Sequence, residues 1–392
     1  MPYCNVSGEE PAAKNGARIF YRTYGHGPVK VLLIIGLAGT HDSWGPQIRG
    51  LAGTEVPNDD ESTVDDASAG NGLMEVCAFD NRGMGRSLAP MKRSEYTTTI
   101  MAKDAISVMD HLGWTKAHVF GHSMGGMIAC KLAALVPDRV LSLALLNVTG
   151  GGFQCLPKLD RLTLSVAMRF LLAKTPEERA AVDLDTHYSQ DYLKESVGQS
   201  TRRAILYQEY VKGISKTGMQ ANHGFEGQIN ACWTHKLTRT EKEQIRSAGI
   251  LISVIHGRHD IVAQISHAKR LAEKFQPFAR MVDLHGGHLV SHERTNEVNE
   301  ALLDLIKASE CKTSPHDWTN LPDKTSSDWI IPLMMLTTTK SATRNSLSSM
   351  YRVLERLNGF LIYLFGFFVI FYEYVRRIVG RFKPVRIGAA LT

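Results

Sequence analysis

Short, nearly unbroken apolar runs alternate with amphipathic ones along most of the chain. Residues 30–36 read KVLLIIG, and 72–80 (GLMEVCAFD), 116–121 (KAHVFG), 140–147 (VLSLALLN) and 249–257 (GILISVIHG) repeat that character. Runs this short and this apolar predict strands covered on both faces, the mark of a mostly parallel sheet. ARIFYRTYG from Ala17 predicts an early strand and ARMVDLHG at 279–286 a last one. Between them, TTIMAKDAISVMDHLG places Ile100, Ala102, Ala105, Ile106, Met109 and Leu112 on one helical stripe. NEVNEALLDLIKA does the same with Val298, Leu302, Leu305 and Ile306. Both predict helices that cover the sheet, and the whole predicts an α/β fold with helices on both faces.

Three stretches break the alternation. Residues 54–70 hold six acidic residues and no basic one, which predicts a solvated, disordered insertion. Residues 150–247 lack strand patterning but contain helix-like runs such as LTLSVAMRFLLAK and TRRAILYQEYVKGI, predicting a helical cap inserted after the sixth strand. The α/β core would then comprise 1–149 and 248–310, followed by a polar linker at 311–350 and a distinct segment at 351–392. In that last segment Gly359 to Tyr372 gives fourteen uncharged residues, seven of them Phe or Tyr. At about 1.5 Å per residue they reach about 21 Å, short of the roughly 30 Å hydrocarbon core. Extended to 357–375 and flanked by basic residues, the segment predicts a thin or tilted span, a re-entrant hairpin or an interfacial helix.

Charge sharpens this division. The net charge is +6, but residues 340–392 hold nine Lys or Arg against Glu355 and Glu373, so the other 339 residues sum to −1. A basic nucleic-acid-binding core is excluded. Six cysteines are scattered singly with no zinc spacing, the pattern of reduced thiols in a protein facing the cytosol. The first sixteen residues have neither a basic nor an apolar stretch, which predicts no secretory signal. The chain is expected at a membrane with its α/β core on the cytosolic side.

Chemistry enters at VFGHSMGGMIAC, residues 119–130, where a strand-like run meets a helix-like one. Gly121, Ser123 and Gly125 form Gly-x-Ser-x-Gly, a pattern with a mechanical reason when the serine is a nucleophile. The chain must reverse sharply and expose the hydroxyl, and small neighbours remove colliding side chains. A serine hydroxyl is nearly inert near neutrality, so it needs a base, an orienting acid and an oxyanion hole. VIHGRHD presents Asp260 after the penultimate strand, and DLHGGHLV presents His288 after the last. His285 is the competing base; an acid after Asn147 is disfavoured because that position carries an amide. The backbone N–H groups of Met124 and Leu37 are the expected oxyanion donors. His41, His122 and His259 are expected to be packing or rim residues.

These blocks, in the order Ser, Asp, His, resemble the α/β-hydrolase superfamily over roughly residues 15–308. GHSMGG is joined by FDNRGMGRS at 79–87, similar to the family's Asp-x-Arg-Gly-x-Gly-x-Ser turn, and by GLAGTHDSW at 36–44, similar to its oxyanion loop. The style is like plant hydrolases grouped with aminoacrylate hydrolases and small carboxylesterases. Ile35 stands where many members have His, and Ala263 where a Pro often follows the acid loop. The resemblance implies a serine esterase with a Ser123–His288–Asp260 triad and no metal or organic cofactor. The expected substrate is a small ester-type molecule, lipophilic if the C-terminal segment meets a membrane. Acyl transfer or carbon–carbon hydrolysis by the same triad, and a non-catalytic receptor or scaffold, are the alternatives.

Overall fold

A computed structural model describes residues 2–6, 17–59, 72–158, 160–217 and 220–321. The chain divides into two units, Met1–Asp328 and Trp329–Thr392, and the second lies outside the described residues. So do the polar linker beyond Leu321, the apolar segment at 357–375 and most of the acidic insertion, from Asp60 on. Among the described residues no helix is long and apolar enough to cross a membrane.

The main sheet contains β1 (Tyr3–Val6), β2 (Ala17–Tyr24), β3 (Val29–Ile34), β4 (Met74–Phe79), β5 (Ala117–His122) and β6 (Val140–Leu146). A two-stranded ribbon, β7 (Ser196–Val197) and β8 (Ser200–Thr201), lies in the insert, and β9 (Leu251–Gly257) and β10 (Ala279–Leu284) complete the sheet. Its order is β1-β2-β4-β3-β5-β6-β9-β10, antiparallel at β1–β2 and β2–β4 and parallel from β4 to β10. The predicted strands are all present. Val31 to Ile34, Val119, Phe120 and Leu143 to Leu146 are fully buried, as two-sided coverage requires. The edge strand β1 carried no readable signal, because its alternation, Cys4 and Val6 buried and Asn5 exposed, runs over only four residues.

Helices α1 (Gly45–Ala52), α2 (Thr98–His111) and α3 (Met124–Leu135) belong to the first half of the core. The insert follows β6 with α4 (Arg161–Leu172), α5 (Pro176–His187), α6 (Gln190–Lys194), α7 (Arg202–Thr217), α8 (Asn222–Thr234) and α9 (Arg239–Ser247). The second half adds α10 (Ile265–Lys274), α11 (Val290–Glu293), α12 (Thr295–Glu310) and α13 (Pro315–Thr319). Helix α9, within the predicted cap, packs against core helix α3, where Lys131 pairs with Glu241. Val298, Leu302, Leu305 and Ile306 of α12 are buried as the stripe predicts. In α2 the buried face is rotated: Met101, Ala102, Ala105, Val108 and Met109 are buried, while Ile100, Ile106 and Leu112 are only partly so. That helix packs on α3, β1 and β2 together, so its apolar face is set by several neighbours rather than one.

Candidate active site

Strand β5 ends at His122 and α3 begins at Met124, leaving Ser123 alone at the corner. Its backbone, at φ 54° and ψ −120°, occupies a region that residues with a side chain rarely adopt. Such strain costs about 1–3 kcal/mol and persists only where the surroundings over-determine it. Here Ser123 N donates to Leu146 O at 2.8 Å and Gly126 N donates to Ser123 O at 2.9 Å. The flanking glycines are sterically required. A Cβ on Gly121 would run into the Gly125 carbonyl, and one on Gly125 into the Ile34 carbonyl. Ser123 stays partly exposed between fully buried neighbours.

The loop after β3 passes directly beside this corner. A Cβ on Gly36 would lie 3.0 Å from Ser123 Cβ. Among the described residues the backbone N–H groups of Leu37 and Met124 have no hydrogen-bond partner, nor does the Ser123 hydroxyl. The Met124 N–H opens the twelve-residue helix α3, whose N-terminal dipole favours negative charge.

Asp260 follows β9 and His288 follows β10, and the parallel pairing of those strands brings both loops to one end of the sheet. His288 Nδ1 lies 2.8 Å from Asp260 Oδ2. A carboxylate accepts, so Nδ1 carries a proton, and Nε2 is free of partners among the described residues. Asp260 accepts four hydrogen bonds. Oδ1 takes Val262 N and Ala263 N, each at 2.8 Å, and Oδ2 takes Asn147 Nδ2 at 2.7 Å besides His288. Burial works to raise this carboxyl. The charge and hydrogen bond of His288, then His256 and Asn147, outweigh it and hold Asp260 at about 2. Alanine at 263 adds a donor that the proline common at that place in the family would lack.

The competing histidines fall elsewhere. His285 is exposed, with its ring 4.4 Å from that of His259. His41 Nδ1 is buried 2.8 Å from Asp80 Oδ1. His122 packs its ring 4.9 Å from that of His288, and its Nε2 donates to the His288 carbonyl at 2.8 Å. Burial first, then the neighbouring His288, pull His122 down to about 3, so it holds a proton too weakly to compete as the base.

Three residues that support the site carried little sequence signal. Asn147, at φ 47°, completes the shell of Asp260 and also donates to Gly287 O at 3.2 Å. Asn at a strand end is one of few residues suited to a left-handed backbone, which was the available clue. Glu293 accepts from Gly287 N at 2.7 Å, from Ser189 N at 2.7 Å and from Ser189 Oγ at 2.6 Å, tying the loop before His288 to the insert. Gln228 on α8 accepts from Ala38 N, in the loop after β3, at 2.9 Å.

A partly exposed hydroxyl on a strained corner, an imidazole oriented by a buried carboxylate, and two free amides are the groups that nucleophilic acyl chemistry requires. Among the described residues no cluster of His, Cys, Asp and Glu is suited to a metal ion.

Comparison with known proteins places the chain in a family. A protein of Azorhizobium caulinodans described as a putative carbamate hydrolase, RutD, is 27% identical over 298 residues, covering 75% of this chain and 97% of that protein. The Caulobacter segnis protein of the same description is 38% identical over 117 residues, 30% of this chain and 37% of that protein. Among solved structures, the enol-lactonase from Burkholderia xenovorans LB400 is similar in fold, with a TM-score of 0.58 at 21% identity over 78% of this chain and 100% of that one. Residues 30–295, more than half the chain, match the alpha/beta hydrolase fold family. The chain therefore belongs to the alpha/beta hydrolase family and is an enzyme of that family.

Proposed function

We propose that the enzyme is a serine hydrolase of carboxylic-ester-type bonds. Ser123 Oγ attacks the substrate carbonyl carbon while His288 Nε2 takes the hydroxyl proton. The negative charge that develops on the carbonyl oxygen is held by the Leu37 and Met124 N–H groups. His288 returns its proton to the departing alcohol, leaving Ser123 acylated. A water then repeats the sequence, giving its proton to His288 and releasing the acid. Asp260 keeps the imidazole in the reactive tautomer and stabilises its charged form.

The observation that carries this reading is the 2.8 Å contact between His288 Nδ1 and an Asp260 carboxylate held at about 2, with the His288 ring 4.9 Å from that of His122, the residue before the strained Ser123. Large apolar side chains exposed on the insert, among them Phe153, Leu162, Met168 and Leu172, favour a lipophilic substrate. The basic-flanked apolar sequence at 357–375 extends the proposal to a membrane surface. A second reading, cleavage of a carbamate by the same residues, is favoured by the description of the Azorhizobium caulinodans relative.

A series of p-nitrophenyl esters of increasing acyl length, assayed beside p-nitrophenyl carbamates, tests these readings. The first predicts ester turnover that rises with chain length and is absent in Ser123→Ala. Preferential carbamate turnover replaces it with the second. Acyl products that appear only when an alcohol acceptor is added would assign acyl transfer instead.

A further inference from the structure

We propose that Gln228, on the insert helix α8, is a positioning residue for the oxyanion hole, an inference that rests on the serine-hydrolase reading above. Its side chain is fully buried and bonded at both ends. Oε1 accepts from Ala38 N at 2.9 Å and from Gln220 Nε2 at 3.0 Å, and Nε2 donates to Arg82 O at 3.0 Å. A backbone N–H only donates and a carbonyl only accepts, so the two ends of this amide cannot be exchanged without losing both core contacts.

The partner it holds is strained. Ala38 has φ 58°, in the left-handed region that favours glycine, and it directly follows Leu37. Relaxing φ at Ala38 without a compensating change of ψ at Leu37 turns the Leu37–Ala38 peptide plane and carries Leu37 round with it. That rotation would swing the free Leu37 N–H, one peptide plane upstream, away from the place where the substrate oxygen acquires charge. Gln228 opposes it by fixing the direction of the Ala38 N–H.

The helix bearing Gln228 is itself seated closely on the core. A Cβ on Gly224 would meet the Gly83 carbonyl, and one on Gly227 would meet the ring of Tyr96. Asn230 Nδ2 donates to Tyr96 O at 3.1 Å, and Gln220 Nε2 donates to Gly83 O at 2.7 Å. The insert therefore supplies part of the frame of the catalytic apparatus as well as a cover. Gln228 acts through the Leu37 N–H, so its contribution falls on the oxygen that becomes charged, not on ground-state binding.

The test uses the full chain and two substitutions, Gln228→Met, which fills the space without an acceptor, and Gln228→Glu, which keeps one. Reactive sites are first counted by titration with a fluorophosphonate, so kcat on p-nitrophenyl acetate is expressed per reacting serine. Gln228→Met is expected to lower kcat about 10-fold or more, with KM held within about 2-fold. Its affinity for a trifluoromethyl ketone, which forms an oxyanion in the same place, should fall by the same factor as kcat. In Gln228→Glu only the protonated carboxyl can both donate to Arg82 O and accept from Ala38 N, and the Arg82 guanidinium is already paired with Asp104. Its kcat relative to the parent should therefore rise as pH falls from about 9 to about 6.

A Gln228→Met enzyme with parental kcat per titrated serine, or with raised KM at unchanged kcat, overturns the positioning role. If that variant does not fold, a pH-independent ratio for Gln228→Glu overturns it. A parent enzyme that does not consume the phosphonate at Ser123 overturns the serine-hydrolase reading itself. A reactive parent with an unimpaired Gln228→Met overturns the positioning role alone.

Discussion

Asn147 donates its side-chain amide to Asp260 Oδ2 at 2.7 Å, the oxygen that also takes His288 Nδ1 at 2.8 Å. Its left-handed backbone, φ 47°, aims the side chain across from the end of β6 to the acid after β9. Gly at this position tolerates the same backbone and deletes only the donor. Asn147→Gly is therefore expected to fold and to lower kcat about 10-fold with KM little changed, because Asp260 loses one of the contacts that keep it ionised against burial. Steady-state kinetics beside a thermal melt check this, and an unchanged kcat would remove Asn147 from the acid's shell.

Acid should destabilise the fold well before the carboxylates titrate. Burial pulls His122 and His235 from 6.5 to about 3 in the folded chain. Between those values the unfolded chain binds these protons and the folded one does not, so their contribution is complete above about pH 6.5 and is lost on acidification. Each histidine supplies up to about 1.4 kcal/mol per pH unit. Asp260, lowered from 3.8 to about 2, adds to the loss only below pH 3.8. Guanidinium unfolding at pH 7 and at about pH 5 should show a clear drop in midpoint. A midpoint constant across that interval would show that the two rings are not held neutral.

Glu293 links the His288 loop to the insert through three accepted hydrogen bonds. Glu293→Ala strands the buried Gly287 and Ser189 N–H groups, at a cost of about 2–3 kcal/mol, and should lower kcat by loosening the loop that carries His288. Glu293→Gln retains an acceptor and should lie between the two. Chemical denaturation with parallel activity assays gives the ranking, and an order in which Ala is the milder change contradicts the assignment.

The strand and helix flanking Ser123 meet so closely that Gly125→Ala is predicted to cost about 3 kcal/mol or more, since the new methyl group would meet the Ile34 carbonyl. Gly113, at φ 68° but with open space around its Cβ position, provides the comparison. Gly113→Ala should cost only about 1 kcal/mol. Equal melting temperatures for the two variants would refute the steric account of the Gly-x-Ser-x-Gly corner.

The difference between what could and could not be read in the sequence follows from locality. Ser123, Asp260 and His288 each sit one short loop beyond an apolar strand and beside glycines, so neighbouring residues announce them. The contact between Gln228 and Ala38 joins positions 190 residues apart and leaves no local trace. Glu293 lies in a four-residue helix whose pattern is indistinguishable from an exposed turn. Asn147 carries an amide where an acid would serve, so its place after a strand does not mark it as part of the site. In the fold that amide is what the acid uses, and only the three-dimensional pairing of β6 with β9 reveals it. The rotated face of α2 has a similar cause, since periodicity reports that a helix has a buried side but not how its neighbours share that side.

The central claim is that Ser123 is a nucleophile activated by His288. Labelling the full chain with a fluorophosphonate probe, beside Ser123→Ala and His288→Ala, tests it most directly. The account predicts rapid covalent labelling of the parent at Ser123, none in Ser123→Ala, and labelling slowed by at least about 100-fold in His288→Ala. A parent that resists the probe, or a Ser123→Ala chain labelled as readily as the parent, would contradict it.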